Sequence, residues 1–134
     1  MNDLLETARQ LQFLCDSQGW SSCFIGGFAV LRWGEPRITR DVDLTLLTGF
    51  GGEESYVDGL LANYPARIAD AREFALRSRV VLLRTPDDVG IDVSLGALPF
   101  ERQMVARASE FRFAEGLSIR TCSAEDLLVM KLFA

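Results

Sequence analysis

Two aspartates one residue apart interrupt an apolar run, Asp41-Val42-Asp43-Leu44-Thr45-Leu46. Side chains on a strand alternate between its faces. Val42, Leu44 and Leu46 therefore share one side, and Asp41, Asp43 and Thr45 the other. Aspartate is depleted in strands, and two like charges on one half-buried face repel unless a cation lies between them. A divalent ion is the simplest compensator, and hard oxygen donors favour Mg2+ or Mn2+. A later run, Gly90-Ile91-Asp92-Val93-Ser94-Leu95, repeats the pattern, with Asp92 and Ser94 opposite Ile91, Val93 and Leu95. Three carboxylates clamping two metal ions make a phosphoryl-transfer site. For an isolated pair of aspartates the plainer account is stronger: a solvated strand end whose charges are paired by Arg37 and Arg40.

Anion-binding groups stand beside the first pair. Gly26-Gly27 precede an apolar stretch that reads as a helix. Glycines allow close backbone approach, and a helix N-terminus offers free N–H groups to a phosphate. Arg37, Thr39 and Arg40 lie between the glycines and the aspartates and suit phosphate oxygens. The alternatives are a simple turn for the glycines and neutralisation of Asp41 and Asp43 for the arginines.

The elements that must position these groups follow from periodicity and punctuation. Residues 2–18 place Leu4, Leu5, Ala8, Leu11 and Cys15 at helical spacing, and Gly19 ends that helix. Ser22 to Ile25 reads as a buried strand, Phe28 to Trp33 as a helix stopped by Gly34 and Pro36, and Val42 to Leu47 as a strand. Thr48 to Gly52 is a loop, and Glu53 to Asn63 a helix. Residues 65–78 are ambiguous between a short helix and the lead-in to a strand. Strands over Arg79 to Arg84 and Gly90 to Leu95 flank the Pro-Asp turn of TPDDVG and form an antiparallel hairpin. Pro99 to Ala108 is a helix with proline at its start. Glu110 to Ala114 and Leu117 to Cys122 make a second hairpin. Ser123 caps a last helix through Ala134, with Asp126 in a near capping-box position. No glycine or proline closes that helix, and the expectation is a chain that stops in mid-element.

Bulk properties narrow the functional classes. At 134 residues and 49% hydrophobic content, the chain fits one α/β domain with a mixed sheet and flanking helices. A net charge of -5 and a pI near 4.7 give no global attraction for nucleic acid, so an anion site has to be built locally. No apolar run reaches the roughly 20 residues of a membrane helix. Cys15, Cys23 and Cys122 have no metal-ligand spacing and read as small buried hydrophobes in a reducing cytoplasm. Histidine is absent, which excludes Ser-His-Asp and Cys-His catalysis, histidine-ligated zinc and a histidine general base. Carboxylates, thirteen arginines, hydroxyls and the single lysine, Lys131, remain.

The ordered set of strand, Gly26-Gly27, helix, Arg37-x-Thr39-x-Asp41-x-Asp43 and a later strand bearing Asp92 resembles the nucleotidyltransferase superfamily, with its polymerase-beta-like fold. It is most similar to the bacterial branch of small and abortive-infection toxin-like nucleotidyltransferases. The resemblance runs from Ile25 to Lys131 and takes in Pro99-Phe100-Glu101 and Ser123 to Leu132. It implies that Gly26 and Gly27 hold a nucleoside triphosphate, ATP among the candidates. Asp41 and Asp43 would ligate two Mg2+ or Mn2+ ions. Asp92 would ligate the catalytic ion and help deprotonate the acceptor, Arg37, Thr39 and Arg40 would contact phosphates, and Lys131 would reach the triphosphate. The implied reaction moves a nucleoside monophosphate from an NTP to an unidentified acceptor (tRNA, protein or small molecule) and releases pyrophosphate. A toxin of a toxin–antitoxin pair is the implied setting, with an antitoxin or self-association through the C-terminal helix as partners. The alternative is a catalytically inactive nucleotide- or partner-binding domain of the same fold. Gly27 stands where serine is common in the family. Family members often continue past the lysine, so the expectation is a single nucleotidyltransferase-like domain over 1–134 lacking a C-terminal helical part.

Overall fold

Leu4, Leu5, Ala8, Leu11 and Cys15 recur at helical spacing, and all five are buried in α1 (Asn2–Ser17). The computed structural model describes residues 2–34 and 39–133. Gly19, at φ +72°, lets the chain leave α1, with the Trp20 amide donating to the Cys15 carbonyl at 2.8 Å. There follow β1 (Ser22–Ile25), α2 (Gly26–Trp33), β2 (Asp41–Leu47), α3 (Glu53–Asn63) and α4 (Ala71–Ser78). The second half holds β3 (Val80–Arg84), β4 (Gly90–Gly96), α5 (Pro99–Arg107), β5 (Ser109–Ala114), β6 (Leu117–Thr121) and α6 (Ala124–Leu132).

The six strands form one mixed sheet in the order β3-β4-β2-β1-β6-β5. The β3–β4 and β5–β6 neighbours are antiparallel hairpins, as the turn chemistry requires, and β1 is antiparallel to β2. The β2–β4 and β1–β6 pairs are parallel. The expected α/β architecture with a mixed sheet and flanking helices is the one observed.

Alternation along the strands sorts the core into two clusters. Val42, Leu44 and Leu46 point from β2 into the larger one, with Leu11 and Cys15 of α1, Val57 and Leu60 of α3, and Phe24 of β1. Cys23 and Ile25, on the other face of β1, join Ala29 and Val30 of α2, Met104 of α5, Cys122 and Leu127 of α6. All three cysteines are buried and free, as their spacing suggested. The helices over the second face are linked by charge. Ser123 accepts from the Asp126 amide at 3.1 Å as the N-cap of α6. The buried Asp126 carboxylate takes two hydrogen bonds from Arg107 of α5, at 3.1 and 2.7 Å.

Most boundaries differ from expectation by a residue or two at an end, and three differences have a clear physical cause. The ambiguous stretch contains α4, whose buried contacts are only Ala71 and Ala75, too few for a clear helical stripe. Arg79 is not the first residue of β3. It sits at φ 61° as the left-handed cap of α4, held there by hydrogen bonds from its guanidinium to the Leu95 carbonyl (3.0 Å), to Thr48 and to Glu53. The helix α2 begins at Gly26 itself, two residues earlier than its apolar run suggests, because Ile25 already serves as its N-cap. Among the described residues no helix is long and apolar enough to cross a membrane.

Leu44 is fully buried behind the Asp43 backbone. Truncation in Leu44→Ala removes its contacts and leaves a cavity. The expected loss, measured by urea denaturation, is about 2–5 kcal/mol.

Candidate active site

Register brings the three aspartates together. In the parallel β2–β4 pair, Asp43 lies opposite Asp92 and Asp41 opposite Gly90. On the other side of β2, Asp43 pairs with Ile25, the residue just before Gly26. Neighbouring strands are about 4.8 Å apart, so the Asp43 and Asp92 carboxylates start from adjacent backbone positions on one face. Two ionised carboxylates about 5 Å apart repel by on the order of 3 kcal/mol at an effective dielectric near 20. Burial first, then the Asp92 and Asp41 charges, push the Asp43 carboxyl up to about 6, against the pull of a nearby guanidinium, that of Arg67.

The glycines ahead of α2 face this cluster. Gly26 adopts φ +58°, and a Cβ there would fall onto the Asp43 carboxylate. A Cβ at Gly27 would strike the Thr39 side chain, with Oγ1 only 2.7 Å away. Thr39 Oγ1 is itself buried and has no hydrogen-bond partner among the described residues. Both glycines are therefore needed by neighbours within the chain as well as by any phosphate. One cleft of about 300 Å³ is lined by Gly26, Gly27, Asp43, Met130 and Lys131, so α6 brings the lysine to the glycines. A larger and more apolar cleft of about 650 Å³ opens alongside, walled by Ile25, Phe100, Met104 and Met130, with Thr45 and Ser94 from the strand positions two beyond Asp43 and Asp92.

Of the residues singled out in the sequence, Gly26, Gly27, Thr39, Asp41, Asp43, Asp92 and Lys131 converge on this side of the sheet. Arg40 stands exposed immediately before Asp41. Arg37 lies outside the described residues. One residue that sequence reasoning passed over stands in the cluster: Arg67, whose guanidinium is paired with Asp92. Nothing in local spacing distinguishes it from the other arginines. Its place depends on pairing with β3, through a single bridge between Ala66 and Leu83.

The donor chemistry fits a hard divalent cation: three carboxylates on one face, and a glycine cradle beside Asp43 that any side chain would fill. The spacing is not closed. Among the described residues no group of three or more His, Cys, Asp or Glu side chains stands at metal-ligating distance, and Arg67 engages Asp92.

Residues 13–134 match the family described as nucleotidyl transferase AbiEii toxin, type IV toxin–antitoxin system, and the chain belongs to that family. No curated protein matches it in sequence. Among solved structures it is similar to an antigenic nucleotidyltransferase-like protein from Paracoccidioides brasiliensis, at 19% identity and a TM-score of 0.61, over 98% of this chain and 66% of that one. The chain thus spans just under two thirds of that neighbour's length. It is also similar to the lincosamide antibiotic adenylyltransferase LnuA, solved with lincomycin bound, at 14% identity and a TM-score of 0.58, over 90% of this chain and 80% of that one. At these identities the two neighbours establish the shared nucleotidyltransferase-like fold.

The raised Asp43 carboxyl has a definite sign in stability. Its folded-state value lies above the ordinary 3.8, so the ionised form costs stability above about pH 6, and the cost is relieved as pH falls through 6 toward 3.8. Without metal, Asp43→Asn should be as stable as the parent or more stable at pH 7. The expected gain is about 1 kcal/mol, discounted from about 3 because water reaches the group. Thermal denaturation in chelator at pH 7 and pH 5 checks this: the difference between the two proteins should shrink at the lower pH.

Proposed function

We propose that this domain transfers a nucleoside monophosphate from a nucleoside triphosphate to an acceptor hydroxyl or phosphate, with release of pyrophosphate, in a divalent-cation-dependent reaction, as the toxin of a toxin–antitoxin pair. The observation that carries the reading is the β2–β4 register that sets Asp43 beside Asp92, with Asp41 two residues away. Family membership supports nucleotidyl transfer and the toxin setting.

Each group has a part that its position suits. The N–H groups at the start of α2 and the glycine surface donate to phosphate oxygens, and the partial positive charge of the helix end favours the anion there. Thr39 Oγ1, buried beside Gly27, offers a hydroxyl to the same oxygens. Lys131 supplies a positive charge from the opposite wall of the cleft, and exposed Arg40 adds another at its edge. Asp41, Asp43 and Asp92 are the groups that would hold Mg2+ or Mn2+, which when bound supplies charge neutralisation for the phosphates and acidifies the attacking hydroxyl. Asp92 would accept the acceptor's proton. The protein lacks histidine, so this proton has no imidazole to go to.

A second reading has one observation in its favour. The pairing of Arg67 with Asp92 leaves the third carboxylate engaged, as in a domain that binds nucleotide without transferring it. The two readings separate in one assay. The protein is incubated with each α-labelled NTP, Mg2+ or Mn2+, and cell extract divided into RNA, protein and small-molecule fractions. Transfer predicts metal-dependent labelling of one fraction and at least a 100-fold loss in Asp43→Asn. Nucleotide-dependent thermal stabilisation with no labelled fraction, from wild type and Asp43→Asn alike, would overturn the transferase reading.

A further inference from the structure

We propose that Arg67 is the resting counter-ion of the carboxylate cluster and competes with a divalent cation for Asp92. The inference rests on the reading of Asp41, Asp43 and Asp92 as cation ligands, and it concerns a residue that the sequence pattern does not pick out.

Arg67 is placed by backbone hydrogen bonds. Its amide donates to the Leu82 carbonyl at 2.9 Å, the Arg84 amide donates to the Pro65 carbonyl at 3.0 Å, and Ala66 bridges Leu83. Residues 65–67 thus run antiparallel to the outer edge of β3 through one isolated bridge. The registers then line up across the sheet. Arg67 lies beside Leu82, Leu82 opposite Asp92, Asp92 opposite Asp43, and Asp43 opposite Ile25. The arginine side chain crosses Leu82 along this row to reach Asp92 Oδ1.

Gly90 makes room for the guanidinium. A Cβ at Gly90 would lie 2.6 Å from Arg67 Nη1 and also 2.6 Å from Asp41 Oδ1. One arm of the guanidinium therefore sits over Gly90 next to Asp41, while the other holds Asp92. A planar group with several N–H donors can hold Asp92 with one arm while the other lies over Gly90, on the side of Asp41 but not paired with it, which a lysine would not reproduce. Arg67 is the positive charge among three negative ones, in the space from which a cation would ligate Asp92.

The pair is exchangeable. The Arg67 and Asp92 side chains keep 31% and 33% of their surface exposed, so water reaches both, and a doubly charged ion meets a singly charged competitor. A cation that takes Asp92 Oδ1 displaces the guanidinium from it. The cluster is charge-compensated at rest and exchanges one cation for another when it is loaded.

The test is Mn2+ binding without nucleotide, by isothermal titration calorimetry and thermal denaturation, on wild type, Arg67→Ala, Arg67→Gln, Asp92→Asn and the Arg67→Ala/Asp92→Asn double variant. Both Arg67 variants should bind Mn2+ at least 5-fold more tightly than wild type. They should also melt lower than wild type in chelator and gain more from saturating Mn2+. The gain in affinity should vanish in the double variant, because it runs through Asp92. Arg67→Gln keeps the length and hydrogen-bonding end of the side chain without its charge, and decides the matter if Arg67→Ala does not fold. Mn2+ affinity equal to or weaker than wild type in a folded Arg67 variant, or a gain that persists with Asp92→Asn, would overturn the proposal while leaving the metal site standing. Absence of Mn2+ binding from every protein in the series would overturn the metal reading and this proposal with it.

Discussion

Like charges crowded on one face of a sheet are the constraint around which this domain is built. Asp41, Asp43 and Asp92 cannot separate without changing the β2–β4 register, and that register is fixed by Val42, Leu44, Ile91 and Val93, all fully buried on the opposite face. A slip of one residue would turn Val42, Leu44 and Leu46 toward the carboxylate side. The core therefore holds the carboxylates together, and burial first, then the Asp92 and Asp41 charges, push the Asp43 carboxyl up to about 6. The apolar face supplies the stability, and the polar face uses part of it.

The remaining elements can be understood by what they bring to that face. β1 pairs with β2 so that its end, Ile25, lies opposite Asp43, and the chain can then turn into α2 only through a glycine that leaves the carboxylate free. The Arg107–Asp126 pair fastens α5 to the start of α6, and α6 carries Lys131 to the glycines. The same two helices wall the apolar cleft beside the carboxylates.

Much of this is written locally in the chain. Alternation in Asp41–Leu46 and Gly90–Leu95 shows which side chains share a face, and the turn residues of TPDDVG set the β3–β4 hairpin. The parallel β2–β4 pairing is not local, but both strands carry the same polar and apolar order, so matching their aspartates was readable by resemblance. Arg67 was not readable. It belongs to a segment whose only sheet contact is one bridge, and its partner lies 25 residues away. The short helix α4 was obscured because only two alanines of its eight residues are buried. Gly27 reads locally as a phosphate contact or a simple turn, and no spacing in the chain shows that Thr39 presses against it.

The central claim is that these three carboxylates form one cation site serving a nucleotide held at Gly26 and Gly27. The most direct measurement is anomalous X-ray diffraction from crystals soaked with Mn2+ and a non-hydrolysable NTP analogue. The account predicts anomalous density among Asp41, Asp43 and Asp92, with analogue phosphates against the first turn of α2 and the Arg67 guanidinium withdrawn from Asp92. Anomalous density elsewhere on the surface, or a fully bound nucleotide with Arg67 still paired to Asp92 and no metal among the carboxylates, would contradict it.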